Sequence, residues 1–151
     1  MSVRTASEKD HDLLHSLWQQ FKSEEDTPGW WHEDWAEAWM EIRNAMVGGG
    51  AVFIATVREA DIGFAVTVQR RRGVAYLNDL YVVPRARRQG VAKTLLHAVV
   101  TSARARGDEV LMLNVDRSNI SERRVYDRLM FREQSVHRIA DVDALEHRLL
   151  A

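Results

Sequence analysis

The sequence predicts an α/β (α+β) domain, in which short apolar strands alternate with amphipathic helices. Apolar residues recur at helical spacing in three segments, and short runs rich in Val, Ile and Phe between turn signals indicate strands. The chain of 151 residues is long enough for one domain with a buried core, and no linker, repeat or low-complexity segment divides it. We therefore expect one domain over residues 1–151.

The predicted elements follow the order β-α-α-β-β-β-α-β-α-β. The first helix presents Leu14, Leu17 and Phe21 on one face, and the second carries Trp35 and Trp39 on a stripe assigned to the core. In chain order we expect a strand at 3–5, a helix from Ser7 to the loop at Glu24, a helix at 31–46, strands at 51–58, 62–69 and up to Val83 with turns at 59–61 and 70–73, a helix after Gly90, a strand at 109–115, a helix from Asn119, a final strand and a terminal helix at 141–150.

The segment around Gly90 predicts an anion-binding loop. An apolar strand is stopped by Pro84, which cannot continue a sheet ladder, and the chain turns through Gly90 into a helix. Glycine adopts backbone conformations closed to other residues and allows a ligand to approach the main chain. The unpaired N–H groups of a first helical turn, with the positive end of the helix dipole, bind phosphate.

This loop is neither a P-loop nor a dinucleotide fingerprint, because it lacks the Gly-Lys-Ser/Thr ending and the three spaced glycines. It resembles the R/Q-x-x-G-x-G/A pyrophosphate loop of the GCN5-related N-acetyltransferases, which bind acetyl-CoA. Arg87, Gly90 and Ala92 stand at the three motif positions. Further along, Tyr126 follows Asn119 by seven residues, as in that family. Met130 replaces the family's usual glycine before Phe131, a departure that concerns a helix end.

The resemblance implies a mixed central sheet of about six to seven strands, with helices on both faces and a splayed pair of strands at the acetyl-CoA site. The pantetheine arm would lie between the strand with Leu80 and the strand at 111–115, and a main-chain N–H of the first would polarise the acetyl carbonyl. Tyr126 resembles the family's general acid, which protonates the CoA thiolate. The residues expected to contact the cofactor are Leu80, Tyr81, Val82, Arg87, Arg88, Gln89, Gly90, Val91, Ala92, Lys93 and Asn119.

Two assignments stay open. Asn119 can cap its helix, with Glu122 completing a capping box, and capping is the favoured role. Some relatives that acetylate protein N-termini carry a glutamate as general base at the position of Asn114, and an asparagine side chain cannot accept a proton usefully. The general base is therefore left as Asp79, Asp116 or water. Asp79 is the catalytic candidate.

The charge distribution suggests the acceptor. Seven carboxylates and no Lys or Arg lie between Glu24 and Glu41, whereas six basic residues and no acid lie between Arg85 and Arg106. An indole face and nearby carboxylates suit a cation. We therefore expect a small cationic primary amine to contact Glu24, Glu25, Asp26 and Trp30. The alternatives are a protein or peptide acetyltransferase, acting on lysine or an N-terminus, and a non-catalytic acetyl-CoA-binding regulatory domain.

Composition excludes several classes. The chain has no cysteine, which rules out a disulfide framework, a zinc-thiolate site and a cysteine-bound acyl intermediate. Direct transfer to the amine is therefore the simpler expectation, unless a serine forms the intermediate. No metal, nucleic-acid partner or membrane association is expected, since the sequence shows no ligand set, extended basic patch, apolar span or signal peptide. A cytoplasmic location follows. A homodimer, and an acyl group longer than acetyl, are left open.

Overall fold

The computed structural model describes residues 1–25, 34–48, 51–136 and 138–151. The described residues fall into two compact units, with the boundary between residues 114 and 115. Among these described residues, the first unit contains all five strands and the first three helices, and the second contains two helices.

One mixed sheet forms the centre of the first unit. Its strands lie in the order β1-β2-β3-β4-β5, each antiparallel to its neighbour except the parallel pair β4 and β5. The strands are β1 (Ser2–Thr5), β2 (Val52–Val57), β3 (Ala60–Arg71), β4 (Val74–Val82) and β5 (Val110–Leu113). The predicted α/β class and mixed sheet are thus confirmed.

The helices occur in the predicted order relative to the five strands along the chain. Asp34 caps the second helix by accepting the N–H groups of Ala36 and Glu37 at 3.0 and 3.2 Å. The helices are α1 (His11–Ser23), α2 (Trp35–Val47), α3 (Val91–Ala105), α4 (Ile120–Arg128) and α5 (Val142–Leu150), with 3-10 turns at Glu8–Asp10 and Pro84–Ala86.

Adjacent residues of β3 show that α1 and α3 lie on opposite faces of the sheet. The ring of Phe64 meets that of Phe21 on α1 at 6.0 Å between centroids. A Cβ on Gly63 would stand 3.4 Å from Leu95 of α3 and only 2.6 Å from the carbonyl oxygen of Tyr81. Successive side chains of a strand point to opposite faces, so the predicted coverage of both faces is confirmed.

Burial of the two central strands follows from this coverage. Residues 52–55 of β2 and 62–67 of β3 are buried without interruption. A strand with one face in water would alternate buried and exposed residues, whereas a strand covered on both faces reads as a continuous apolar run. These two strands therefore form the centre of the core.

The helices α1 and α2 pack through aromatic rings. Trp39 is buried against Trp18 and His15, with ring centroids 5.5 and 4.6 Å apart, and its Nε1 donates to His11 Nε2 at 3.4 Å. Trp35, which the helical stripe assigned to the core, is 45% exposed, so that assignment was wrong. Trp35 is the first residue of α2, where it touches Trp18 only by a ring edge.

The predicted strand count was too high, because the described sheet has five strands instead of six to seven. Among the described residues of 131–141, none forms the expected final strand. Val136 and Ile139 are 54% and 62% exposed, and polar residues surround them. Too few apolar side chains are present to form the buried face that a strand needs. The terminal helix α5 is present, and none of its residues is buried.

The turn between β2 and β3 also differs from the prediction. It consists of Arg58 and Glu59, with φ values of 49° and 64°, and Ala60 already belongs to β3. Positive φ at both central positions is typical of a tight hairpin turn, which usually carries Asn-Gly. Neither arginine nor glutamate is a residue type that predicts this conformation from the sequence.

The end of α4 places a non-glycine residue in the left-handed region. Met130 has φ 68° and is 84% exposed, and the N–H of Phe131 closes the helix on the carbonyl of Tyr126 at 3.0 Å. This closing bond is characteristic of a Schellman end, where glycine is usual. The replacement of the family's usual glycine by Met130 thus introduces backbone strain at the end of α4.

We expect Met130→Gly to raise the free energy of unfolding by about 0.5–1 kcal/mol, because it relieves left-handed strain and removes no buried contact. Thermal unfolding followed by circular dichroism measures the change. Met130→Ala is the matched control, since it shortens the side chain and keeps the strain. Equal stability of the Gly and Ala variants would contradict the strain.

Candidate active site

The strands β4 and β5 pair over only four residues and then part. Val74–Leu77 pair with Val110–Leu113, after which β4 continues to Val82 without a partner on that edge among the described residues. A β-bulge marks the point of departure: Val66 pairs with Asp79 and Thr67 with Leu77, leaving Asn78 unpaired. Bulges increase strand twist and terminate pairing. An opening between β4 and β5 therefore exists where the resemblance implied one.

The hydrogen-bonding groups of β4 alternate between its two edges. Val83 donates its N–H to the carbonyl of Ile62 on β3 at 2.9 Å. The alternation of a strand then directs the N–H and C=O groups of Val82 and Leu80 to the open edge. Those of Tyr81 face β3. Of the three residues predicted to contact the cofactor here, Leu80 and Val82 thus offer main-chain donors.

The side chain of Tyr81 packs in the core. Its ring lies 5.3 Å from Phe21 and 5.9 Å from Phe64, and its buried hydroxyl has no hydrogen-bond partner among the described residues. Burial raises the pKa of Tyr81 to about 12, and the Glu24 carboxylate acts in the same direction. The phenol is therefore neutral at neutral pH, and the ring packs against core residues instead of facing the open edge of β4.

Gly90 forms the turn into α3, with φ 81° and an exposed position. Nothing lies within 4 Å of where its Cβ would stand, so the space in front of the loop is open. The helix begins at Val91 without a side-chain cap. The N–H groups of its first turn are therefore free of intrahelical partners, and the binding of a phosphate there stays a prediction.

Basic side chains surround this turn. Arg85, Arg88 and Lys93 are exposed, and Arg88 itself has φ 61°. Gln89 donates its side-chain N–H to the carbonyl of Arg85 at 3.2 Å, which ties the loop to the preceding turn. Ala92 is half-buried in the first turn of α3. The loop thus combines main-chain donors with positive charge.

The predicted acceptor residues are only partly described. Glu24 forms an ion pair with Arg87 at 3.0 Å, and Glu25 forms one with Lys22 at 3.3 Å. Asp26 and Trp30 lie outside the described residues. The two described carboxylates are therefore engaged with basic side chains of their own unit.

Asp79 lies directly after the bulge on β4. It is half-buried, and its Oδ2 accepts the side-chain N–H of Asn78 at 3.0 Å. By strand alternation its side chain is on the same face as that of Tyr81. A carboxylate at this position, beside the opening of the sheet, suits a general base.

The second unit holds the asparagine and aspartate candidates. Asn119 caps α4: its Oδ1 accepts the N–H of Glu122 at 3.2 Å, and its Nδ2 donates to the Glu122 carboxylate at 2.7 Å. The favoured capping role is thus observed. Asp116 accepts the hydroxyl and the N–H of Ser118 at 2.6 and 2.8 Å, and these bonds lower the pKa of Asp116. A lowered pKa makes Asp116 the weaker base candidate.

Tyr126 lies on α4 and is buried. Its hydroxyl donates to Glu122 at 3.4 Å, and its ring meets that of Phe131 at 5.4 Å. Burial raises the pKa of Tyr126 above its usual value, and the Glu122 carboxylate adds to the shift. The phenol therefore keeps its proton throughout the neutral range.

Solved structures similar to this chain are acetyltransferases. AAC(6')-Iy in complex with the bisubstrate analog CoA-S-monomethyl-acetylneamine is 24% identical with a TM-score of 0.71, covering 93% of this chain and 96% of that one. Ard1 from Thermoplasma volcanium is 21% identical with a TM-score of 0.70, covering 89% and 84%. A ribosomal-protein-alanine N-acetyltransferase from Brucella melitensis biovar Abortus 2308 is 16% identical with a TM-score of 0.69, covering 93% and 98%. At these identities the likeness is one of fold.

The acetyltransferase (GNAT) family model matches residues 11–131. The chain therefore belongs to this family, and the predicted class of acyltransferase is confirmed. No curated protein sequence matches the chain. Within the part of the chain that the structure describes, no helix is long and apolar enough to cross a membrane.

Proposed function

We propose that this protein transfers the acetyl group of acetyl-CoA directly to a primary amine, with a small cationic amine as the preferred acceptor. The observation that supports it most is the arrangement on β4 and α3. A strand edge freed by a bulge leads, within a few residues, into an open glycine turn and an uncapped helix. One end suits a reacting carbonyl and the other a pyrophosphate.

The donor would extend along β4. The main-chain N–H groups from Arg88 to Lys93 would hold the pyrophosphate, with Arg88 and Lys93 contributing charge. The pantetheine arm would follow the open edge, and an N–H of Leu80 or Val82 would polarise the thioester carbonyl. Such donors stabilise the oxyanion as charge develops in the transition state.

The reaction then needs one base and one acid. The amine attacks the carbonyl carbon and loses a proton to Asp79 or to water, the carbon–sulfur bond breaks, and Tyr126 gives its proton to the departing thiolate. Because the chain has no cysteine, a cysteine-bound intermediate is ruled out. Because burial raises the pKa of Tyr126, the phenol carries its proton at neutral pH when the thioester binds.

The acceptor class is argued from charge. The segment between Glu24 and Glu41 carries no basic residue, and Glu37 and Glu41 are exposed on α2. Because Glu24 and Glu25 are paired with basic side chains, the attraction would come from the segment's net field rather than from those two carboxylates. AAC(6')-Iy, an aminoglycoside N-acetyltransferase, is compatible with this class, and the ribosomal-protein-alanine N-acetyltransferase among the similar folds keeps a protein amine as the second candidate.

Gly90→Val should abolish tight binding of CoA while the protein stays folded, because the left-handed turn and the approach to the main chain both need glycine. Isothermal titration calorimetry measures the affinity. Gly107→Val is the matched control, since Gly107 has φ 84°, equally open surroundings and a position at the opposite end of α3. A folded Gly90→Val protein with parental CoA affinity would refute the loop assignment.

Tyr126→Phe should keep the affinity for CoA and lower kcat by about two to four powers of ten, the usual contribution of a general acid. Steady-state kinetics over neutral and alkaline pH, paired with calorimetry, measure both quantities. The phenylalanine keeps the ring packing against Phe131. An unchanged kcat would mean that Tyr126 only packs.

For a dicationic polyamine we expect kcat/KM to fall as salt rises, because screening at about 0.1 M reduces steering beyond roughly 10 Å. A neutral arylamine is the control acceptor, and its lower kcat/KM should not respond to salt. Equal use of both amines would refute the cationic acceptor and leave acetyl-CoA binding intact. No turnover over a broad amine and peptide panel, with CoA still bound, would indicate a regulatory domain.

A further inference from the structure

Arg87 commits one edge of its guanidinium to the protein itself. Its Nε donates to the carbonyl oxygen of Val82 at 2.9 Å, and its Nη2 donates to Glu24 at 3.0 Å. These two N–H groups lie on the same edge of the planar guanidinium, the edge that pairs side-on with phosphates and carboxylates. That edge is therefore already occupied at a motif position expected to serve the cofactor.

Two hydrogen bonds, one from Arg87 and one to β3, hold the last peptide unit of β4. Arg87 binds the carbonyl of Val82, which faces the open edge, while the N–H of Val83 in the same peptide unit donates to Ile62 on β3 at 2.9 Å. The guanidinium carbon also lies 5.8 Å from the centre of the Tyr81 ring. The peptide unit is thus held from both sides.

We propose that Arg87 is a positioning residue, oriented by Glu24, that fixes the end of β4 rather than binding the pyrophosphate. Its effect on turnover rests on the proposed function. The held peptide unit sets the spacing between the open edge, where the thioester reacts, and the Gly90 turn, where the pyrophosphate binds. Small errors in such spacing reduce the rate of a bound reaction strongly.

Two donors distinguish positioning from phosphate binding: acetyl-CoA, and S-acetylpantetheine, which lacks the pyrophosphate and the nucleotide. Arg87→Ala should lower kcat by roughly tenfold or more with both donors alike, the size expected for losing a charged hydrogen bond. A loss with acetyl-CoA that disappears with S-acetylpantetheine would overturn the proposal, because only a phosphate ligand behaves in that way.

Three further variants sharpen the comparison. Lys93→Gln removes an exposed charge from the first turn of α3. This variant should lower the affinity for acetyl-CoA and leave the affinity for S-acetylpantetheine unchanged. Arg87→Gln keeps one donor for the Val82 carbonyl and should recover part of the rate with both donors. Glu24→Gln should lower kcat less than Arg87→Ala and add nothing to it in the double variant. Additive losses would remove Glu24 from the proposal.

Measurements without a donor separate this proposal from the proposed function. The coupling of Glu24 and Arg87 in the free energy of unfolding, from a double-mutant cycle, and the protection of the Val83 N–H from hydrogen exchange need no activity. Coupling and protection that depend on Arg87 in a protein with no turnover would refute the acetyltransferase proposal alone. Their absence would refute the positioning role in an active enzyme.

Discussion

The site depends on the point where β4 and β5 separate. Sheet strands satisfy their main-chain groups by pairing, and an unpaired edge in the middle of a domain must find other partners. The bulge at Asn78 creates such an edge over the last residues of β4. Arg87 takes one of its carbonyls, and in the proposed complex the pantetheine arm takes the remaining groups. The opening is thus a gap whose main-chain N–H and C=O groups need hydrogen-bond partners.

Two of the basic side chains near the site, Arg87 and Lys22, are balanced by internal ion pairs. Glu24 neutralises Arg87, and Glu25 neutralises Lys22, whose ammonium also lies 5.8 and 5.2 Å from the rings of Trp18 and Phe21. In the proposed complex, the pyrophosphate is therefore bound by main-chain N–H groups and by the exposed Arg88 and Lys93. This division explains how one short segment can carry many arginines that serve different purposes.

Local signals in the sequence predicted the glycine turn and the capping asparagine, because each depends on residues close together in the chain. Both hairpins were predicted from their apolar strands, but the turn between β2 and β3 was misplaced at 59–61. The bulge was not predictable, since one polar residue within a strand has no distinctive pattern. The partner of Arg87 is 63 residues away, so only the fold brings Glu24 to it. Trp35 was misassigned because periodicity identifies a helical stripe without showing where the packed part of the stripe begins.

The turn between β2 and β3 has a consequence for folding. Arg58 and Glu59 both adopt left-handed backbone conformations that cost each of them about 1–2 kcal/mol relative to glycine. We therefore expect that this hairpin, which joins the two most deeply buried strands, does not nucleate from its turn. Both strands pack against α3, which lies far along the chain, so we expect the central hairpin to form only as that helix packs. On this expectation, collapse of the core with its long loop closures would limit the folding rate.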